Sequence, residues 1–156
     1  MRLHLVFVGK TAFSDLESAI GRYLDRLGHY CRVEVLYVKA EKITGAVEDR
    51  MVREREGERI LKIAGRQGYL IACDQGGREL DSRELSGVIE KLMGSGVSDL
   101  WVAVGGPAGV SPQVLTSARL VLSLSKMTLP HDLARLVLVE QLYRAFTIIK
   151  GEPYNR

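Results

Sequence analysis

The stretch from Leu100 to Arg144, LWVAVGGPAGVSPQVLTSARLVLSLSKMTLPHDLARLVLVEQLYR, constrains this chain more than any other. Leu100–Val104 is an unbroken apolar run, the pattern of a strand buried on both faces of a parallel sheet. Gly105, Gly106 and Gly109 surround Pro107, so the backbone there can turn sharply and leave amides facing outward. A short helical segment follows. Leu120–Leu124 then repeats the strand signal and leads into the Ser/Thr loop Ser123–Pro130. Two loops thus stand at the carboxyl ends of two strands, where open α/β sheets bind their ligands.

Upstream, strand and helix signals alternate. Arg2–Val8 reads as a first strand ended by Gly9, and a helix with Ser14 as N-cap runs to Leu27, its stripe Leu16, Ile20, Tyr23, Leu24 and Leu27. Gly28 stops it, and Cys31–Lys39 gives the second strand. A loop over Ala40–Gly45 leads to a charged helix over Ala46–Ala64, packing through Val47, Met51, Ile60, Leu61 and Ala64. Within it Arg50 and Glu54 form a favourable i,i+4 pair, whereas Arg55 and Arg59 carry like charge. Tyr69–Cys73 is the third strand, closed by Asp74, Gln75, Gly76 and Gly77. Asp81 or Ser82 caps a helix to Met93 with Leu85, Val88, Ile89 and Leu92 inward. The βαβαβαβαβα alternation predicts a parallel α/β sheet with helices on both faces, in a single domain over residues 1–156.

The last helix, Asp132–Lys150, is apolar around most of its circumference, from Leu133 and Leu136 to Ile148 and Ile149. Such a helix needs cover on several sides. In so small a domain a second copy of the chain is the natural cover, which predicts a homodimer.

Composition narrows the class. Hydrophobic residues make up 46% and charged residues 26%, the balance of a globular protein that folds in water. No apolar run approaches the about 20 residues of a membrane span. The opening MRLHLVFVGK has no separate charged region or cleavage signal, so it reads as a strand and not a leader. Cys31 and Cys73 lie far apart with no CxxC, which argues against zinc or a disulfide framework and for a reducing, cytoplasmic setting. The net charge of +3 is interleaved along the chain and permits, without demanding, a nucleic-acid partner. The GGPAG turn is not followed by GK[ST] and so is no phosphate loop, and the chain has no GxSxG elbow and no HExxH or paired-His metal spacing. His131 opens the last helix with Arg135 one step on, and Glu140 and Arg144 are an i,i+4 pair.

GGPAGVSP, LSLSKMTLPH, the Arg135–Ala145 helix segment and the terminal GEPYNR together resemble the RlmH family. These are SPOUT-class methyltransferases of bacterial 23S rRNA. The resemblance extends to LHLVFVGK, to Glu56-Gly57-Glu58 and to the Asp74 loop, and so spans essentially the whole chain. It implies a SPOUT-type α/β fold with a carboxyl-terminal trefoil knot. It also implies transfer of methyl from S-adenosylmethionine to N3 of a pseudouridine, position 1915 in the usual rRNA numbering, by a cytoplasmic homodimer on the large ribosomal subunit, with no metal and no membrane partner. The matching positions give a donor pocket of Cys73, Gly105, Gly106, Leu124, Ser125, Lys126, Met127, Thr128 and Leu129. Arg144 and Tyr154 match positions that handle substrate, and His131 is the candidate general base by its chemistry. Many members have His after the terminal Tyr, where this chain has Asn155. Arg22, Arg26, Arg135, Arg144 and Arg156 are candidate phosphate contacts. Two other readings are a ribosome-binding factor that lost donor binding and a nucleotide-binding protein of flavodoxin type. The intact GGPAG turn and LSLSKMTLP loop favour the enzyme over the first, and the last helix and tail are unexplained by the second.

Overall fold

A computed structural model describes residues 1–44, 48–64 and 68–155, with the side chain of Asn155 left out. Ala46 and Val47 of the expected second helix, the Gly45 end of the expected loop and the candidate phosphate contact Arg156 lie outside the described residues. The elements run β1 (Arg2–Val8), α1 (Ser14–Leu27), β2 (Arg32–Val38), α2 (Asp49–Ala64), β3 (Tyr69–Glu79), α3 (Ser82–Gly94), β4 (Asp99–Val104), α4 (Pro112–Ser117), β5 (Leu120–Ser123) and α5 (His131–Ile149). A short 3-10 turn at Pro153–Asn155 follows.

The five strands form one sheet in the order β2-β1-β4-β3-β5, and every pairing is parallel. All carboxyl ends therefore open on the same side. One face carries Leu3, Leu5, Phe7, Ile71, Leu100, Val102, Val104 and Leu122, covered by α1, α3 and α5. The other carries Val6, Val8, Leu70, Ala72 and Ala103, covered by α2 and α4 through Ile60, Ala64 and Val114. Apolar side chains on both faces are what made the central strands read as continuous runs.

Three local expectations are corrected. Phe13, not Ser14, occupies the N-cap of α1, with no side-chain hydrogen bond there. The inward stripe of α2 is Val52, Glu56, Gly57, Ile60 and Ala64, so Met51 is exposed. Gly57 is required on that stripe, because a Cβ would lie 2.1 Å from Ser111 Oγ, the side chain that caps α4. The third strand does not end at Cys73. It slips register there and continues to Glu79, pairing Arg78 with Leu122 and Glu79 with Ser123 of β5. Gly77 makes that possible, since a Cβ would sit 2.6 Å from the Val121 carbonyl. Asp81 does cap α3, in a capping box with Glu84.

Helix α5 buries Leu138, Val139, Leu142, Ala145 and Phe146 against the sheet and its neighbouring helices, while Leu133 is exposed and Val137 and Ile148 are only half covered.

Candidate active site

After β5 the chain crosses the carboxyl ends of β3 and β4 and reaches the end of β1, where α5 begins. Arg135 Nη2 donates to the Val8 carbonyl at 2.5 Å, and Asp132 Oδ2 accepts from the Ala12 amide at 2.8 Å. The crossing encloses a cleft of about 630 Å³. Cys73, Gly105, Gly106, Leu124, Ser125, Met127, Thr128 and Leu129 line it, and so does His131. Lys126 does not. Its ammonium turns away to the carbonyls of Gln75 (3.3 Å) and Gly77 (3.2 Å), tying the crossing loop to the extended third strand. Thr128 Oγ1 reinforces that tie by donating to Gln75 Oε1 at 3.0 Å.

The Gly105–Val110 turn is closed by the Gly109 amide donating to the Gly106 carbonyl at 2.9 Å. Gly109 has a φ of +87°, a conformation L side chains rarely adopt. A Cβ on Gly105 would meet the Gly109 carbonyl at 2.8 Å, so the turn can fold back on itself only without one. Beneath it lies Glu56, 2% exposed, whose Oε1 accepts the Glu41 amide while Oε2 has no partner among the described residues. Burial raises the pKa of its carboxyl, against the opposing Glu41 amide and Arg59 charge.

Few groups in the cleft suit covalent chemistry. Burial pushes the Cys73 thiol up to about 12, which removes it as a thiolate near neutrality. The His131 ring is lowered in pKa, chiefly by burial and further by Arg135, against an opposing pull from Asp132 at 3.3 Å. It is therefore neutral at physiological pH and can accept a proton. Arg53, from α2, and Gln75 also line the cleft, and neither is among the site residues expected from the sequence.

Arg135 is corrected as a phosphate contact. It is fully buried, donating to Val8 and Thr11, paired with Asp132 at 3.3 Å and lying 5.0 Å over the Phe7 ring. Its position on the inward stripe with Leu138 and Leu142 follows from helical phase.

Arg144 and Tyr154 are brought together, but not at this cleft. Arg144 donates to Glu140 Oε1 through Nε (3.0 Å) and Nη2 (2.7 Å). Tyr154 donates to the same oxygen at 3.1 Å, meets the Tyr23 hydroxyl at 3.4 Å and has the Arg144 guanidinium 4.8 Å over its ring. Burial, the Tyr23 contact and the Glu140 charge hold the Tyr154 phenol protonated. The exposed Arg26 stands over the Tyr23 and Tyr143 rings nearby, and Arg22 is exposed on the same helix.

Among the described residues no group of His, Cys, Asp and Glu is arranged to hold a metal ion, and no helix is long and apolar enough to cross a membrane.

The model of a family described as "Predicted SPOUT methyltransferase" matches residues 1–155. A Syntrophobacter fumaroxidans protein named ribosomal RNA large subunit methyltransferase H is 53% identical over 157 residues, covering 100% of both chains. A Clostridium botulinum protein of the same name is 40% identical over 159 residues, again covering 100% of both. Among solved structures, a "probable methyltransferase" of Bordetella pertussis superposes with a TM-score of 0.59 at 12% identity, covering 93% of this chain and 96% of that one. A Legionella pneumophila protein solved "in complex with the bound cofactor SAM" gives 0.52 at 9% identity, covering 93% of this chain and 66% of that one. These two show likeness of fold. From the strand-end cleft, the family match and the full-length identity, this chain belongs to the SPOUT methyltransferase family, among the ribosomal RNA large subunit methyltransferase H proteins.

Proposed function

We propose that this protein transfers a methyl group from S-adenosylmethionine to N3 of a pseudouridine in 23S rRNA, acting in the cytoplasm as a homodimer on the large ribosomal subunit. The observation that carries this is the 53% identity along the entire chain with a protein named for large-subunit rRNA methylation. The structural relative with bound SAM supports the choice of donor.

The cleft suits such a donor. Its volume falls within the roughly 300–1,000 Å³ common for small-ligand sites. Its glycines, Pro107, Ala108 and Ser125 keep side chains small, so backbone amides and carbonyls can reach a purine, a ribose and an amino-acid group directly. Cys73, Gly105, Gly106 and the Leu124–Leu129 loop, Lys126 excepted, would hold it. When bound, the donor supplies an activated methyl carbon on a sulfonium. The protein then needs to align the acceptor with that carbon and to remove a proton from N3, and it needs no nucleophile of its own. Neutral His131, at the cleft wall, takes that proton at a ring nitrogen. Arg144 and Tyr154 bind the substrate side by charge and hydrogen bonding.

The separation of these groups supports the homodimer. His131 and Arg144 are thirteen residues apart on one straight helix, about 20 Å at 1.5 Å per residue. One nucleotide cannot touch both ends of α5, so the tail serving a given cleft belongs to a second copy packed on the half-covered face of α5. Threading of the carboxyl-terminal segment through a loop, as a trefoil knot, belongs to the same reading. Arg22 and Arg26 offer exposed cations to rRNA phosphates, in the shape-led manner usual for structured RNA.

The test is transfer of labelled methyl from S-adenosylmethionine to assembled ribosomes, free large subunits and naked rRNA that lack the modification, followed by mapping. Incorporation at one pseudouridine is expected. Donor binding with no incorporation points to another acceptor, and failure to bind donor removes the methyltransferase reading in favour of a ribosome-binding factor. Reversing the charge of Arg22 and Arg26 should reduce activity on ribosomes; unchanged activity rules that helix out as a contact.

A further inference from the structure

Helix α2 carries four arginines, and three of them are occupied. Arg50 pairs with Glu54 at 2.8 Å, Arg55 reaches Glu41 at 3.4 Å, and Arg59 binds both Glu41 and the Lys39 carbonyl. Arg53 is the exception. Among the described residues it makes no hydrogen bond and no ion pair, and its Nε is buried without a partner. A buried N–H of a guanidinium costs free energy unless something accepts from it.

Its surroundings say what that acceptor is. Arg53 lines the cleft beside the Gly105–Val110 turn, and its Cδ lies 3.9 Å from where a Cβ on Gly109 would be. The other charged or titratable side chains at the cleft wall are Cys73, whose thiol burial keeps neutral, Asp74 and His131. Asp74 is directed to the Gly76 amide at 2.8 Å, and His131 to Asp132. Among the described residues the cleft therefore holds one cation without a partner, next to a turn whose three glycines leave room for close approach. A planar guanidinium in that setting matches a carboxylate, which it can engage through two parallel N–H donors.

We infer that Arg53 binds the carboxylate at the amino-acid end of the methyl donor and so sets which donors and donor analogues the cleft accepts. This rests on the donor proposed above. It places the amino-acid end beneath α2 at Gly109 and leaves the rest of the cleft, between Cys73 and the Leu124–Pro130 loop, for the nucleoside. A phosphate of the RNA is the other anion a guanidinium could take. The burial of Nε within the donor cleft favours the small ligand over a strand that must approach from outside.

The test compares two ligands differing in that carboxylate. S-adenosylhomocysteine carries it, and 5′-methylthioadenosine keeps the adenosine and sulfur without it. Equilibrium binding of both would be measured on the intact protein and on Arg53→Gln and Arg53→Lys. For Arg53→Gln, S-adenosylhomocysteine should bind at least about tenfold more weakly, the scale of one charge-assisted hydrogen bond. Methylthioadenosine should bind unchanged, which also reports that the variant is folded. Arg53→Lys should recover part of the loss, as a point charge without the fork. Equal weakening of both ligands, or of neither, overturns the assignment. Unchanged binding of both with a raised KM for ribosomes overturns it in favour of an RNA phosphate. If the unaltered protein binds neither ligand, the donor reading itself falls.

Discussion

The two ends of α5 work by opposite means. At its start the cleft is walled by Gly105, Gly106, Gly109, Pro107 and the Leu124–Pro130 loop apart from Lys126, so its wall offers shape and backbone groups more than charged side chains. At its end Glu140, Arg144, Tyr23 and Tyr154 form a side-chain network held by one carboxylate oxygen. A small ligand of fixed shape can be held by an invariant backbone. A strand of RNA calls for cations it can reach, and Arg144 keeps 26% of its side chain exposed. The small-residue cleft and the charged network are separated along one helix, and under the proposed function they would act on one nucleotide only when two copies meet.

The largest expected effect tests the helix that joins the two ends. Arg135→Ala removes the guanidinium shared by Val8, Thr11 and Asp132 and leaves Asp132, 2% exposed, without its cation. Breaking a buried pair in this way costs about 3–5 kcal/mol. Denaturant unfolding should show that loss, and a change under 1 kcal/mol would mean that the start of α5 is not braced here.

Next is the tail. Arg144→Ala should lower methyl transfer about 10²–10³-fold, as for loss of a charged group acting on the reacting substrate, with donor affinity unchanged by calorimetry. A parallel loss of donor affinity would erase the distinction between the two ends.

The cleft gives the converse. Gly105→Ala forces a Cβ to within 2.8 Å of the Gly109 carbonyl, an overpacking cost of about 1–3 kcal/mol that opens the turn. Donor affinity should fall while the Arg144–Glu140–Tyr154 network, followed by the protection of its neighbouring amides from exchange, stays intact.

The subtlest effect concerns pH. Because burial lowers the pKa of His131, its neutral, proton-accepting form persists below the ordinary histidine value of about 6.5. The rate should rise with pH through that lowered pKa and be level by neutrality. His131→Gln should lower the rate and remove the acid limb. If the limb survives in the variant, another group takes the N3 proton.

Much of this was legible in the chain. Continuous apolar strands and their glycine stops located β1 and β4, and the apolar circumference of the last helix announced its burial, which Leu138, Val139 and Leu142 bear out. What escaped was long-range. Gly76 and Gly77 have the composition of a turn, yet Gly77 serves close approach to Val121 in a strand that runs on to Glu79. Arg135 looks like a surface cation because its partners lie more than 120 residues away, at Val8 and Thr11. Lys126 sits inside the loop motif, but which way a loop side chain turns depends on carbonyls at Gln75 and Gly77 that no local pattern announces. Arg53 was hidden for the same reason, since its cleft exists only once the crossing loop is in place. The family motifs located eight of the nine expected donor-pocket positions at one cleft, whereas the distance between that cleft and the tail emerges only from the fold.

The most direct measurement mixes two inactive chains. Gly105→Val disables the cleft and Arg144→Ala disables the tail, and each variant alone should transfer almost no methyl to ribosomes. Dissociated and reassembled at equal amounts, half the dimers carry one of each, with one intact cleft facing one intact tail, so activity should recover to about a quarter of the unaltered protein. Mixed dimers that form, as seen by differential tagging, yet show no recovery would contradict the account, because cleft and tail would then serve each other within a single chain.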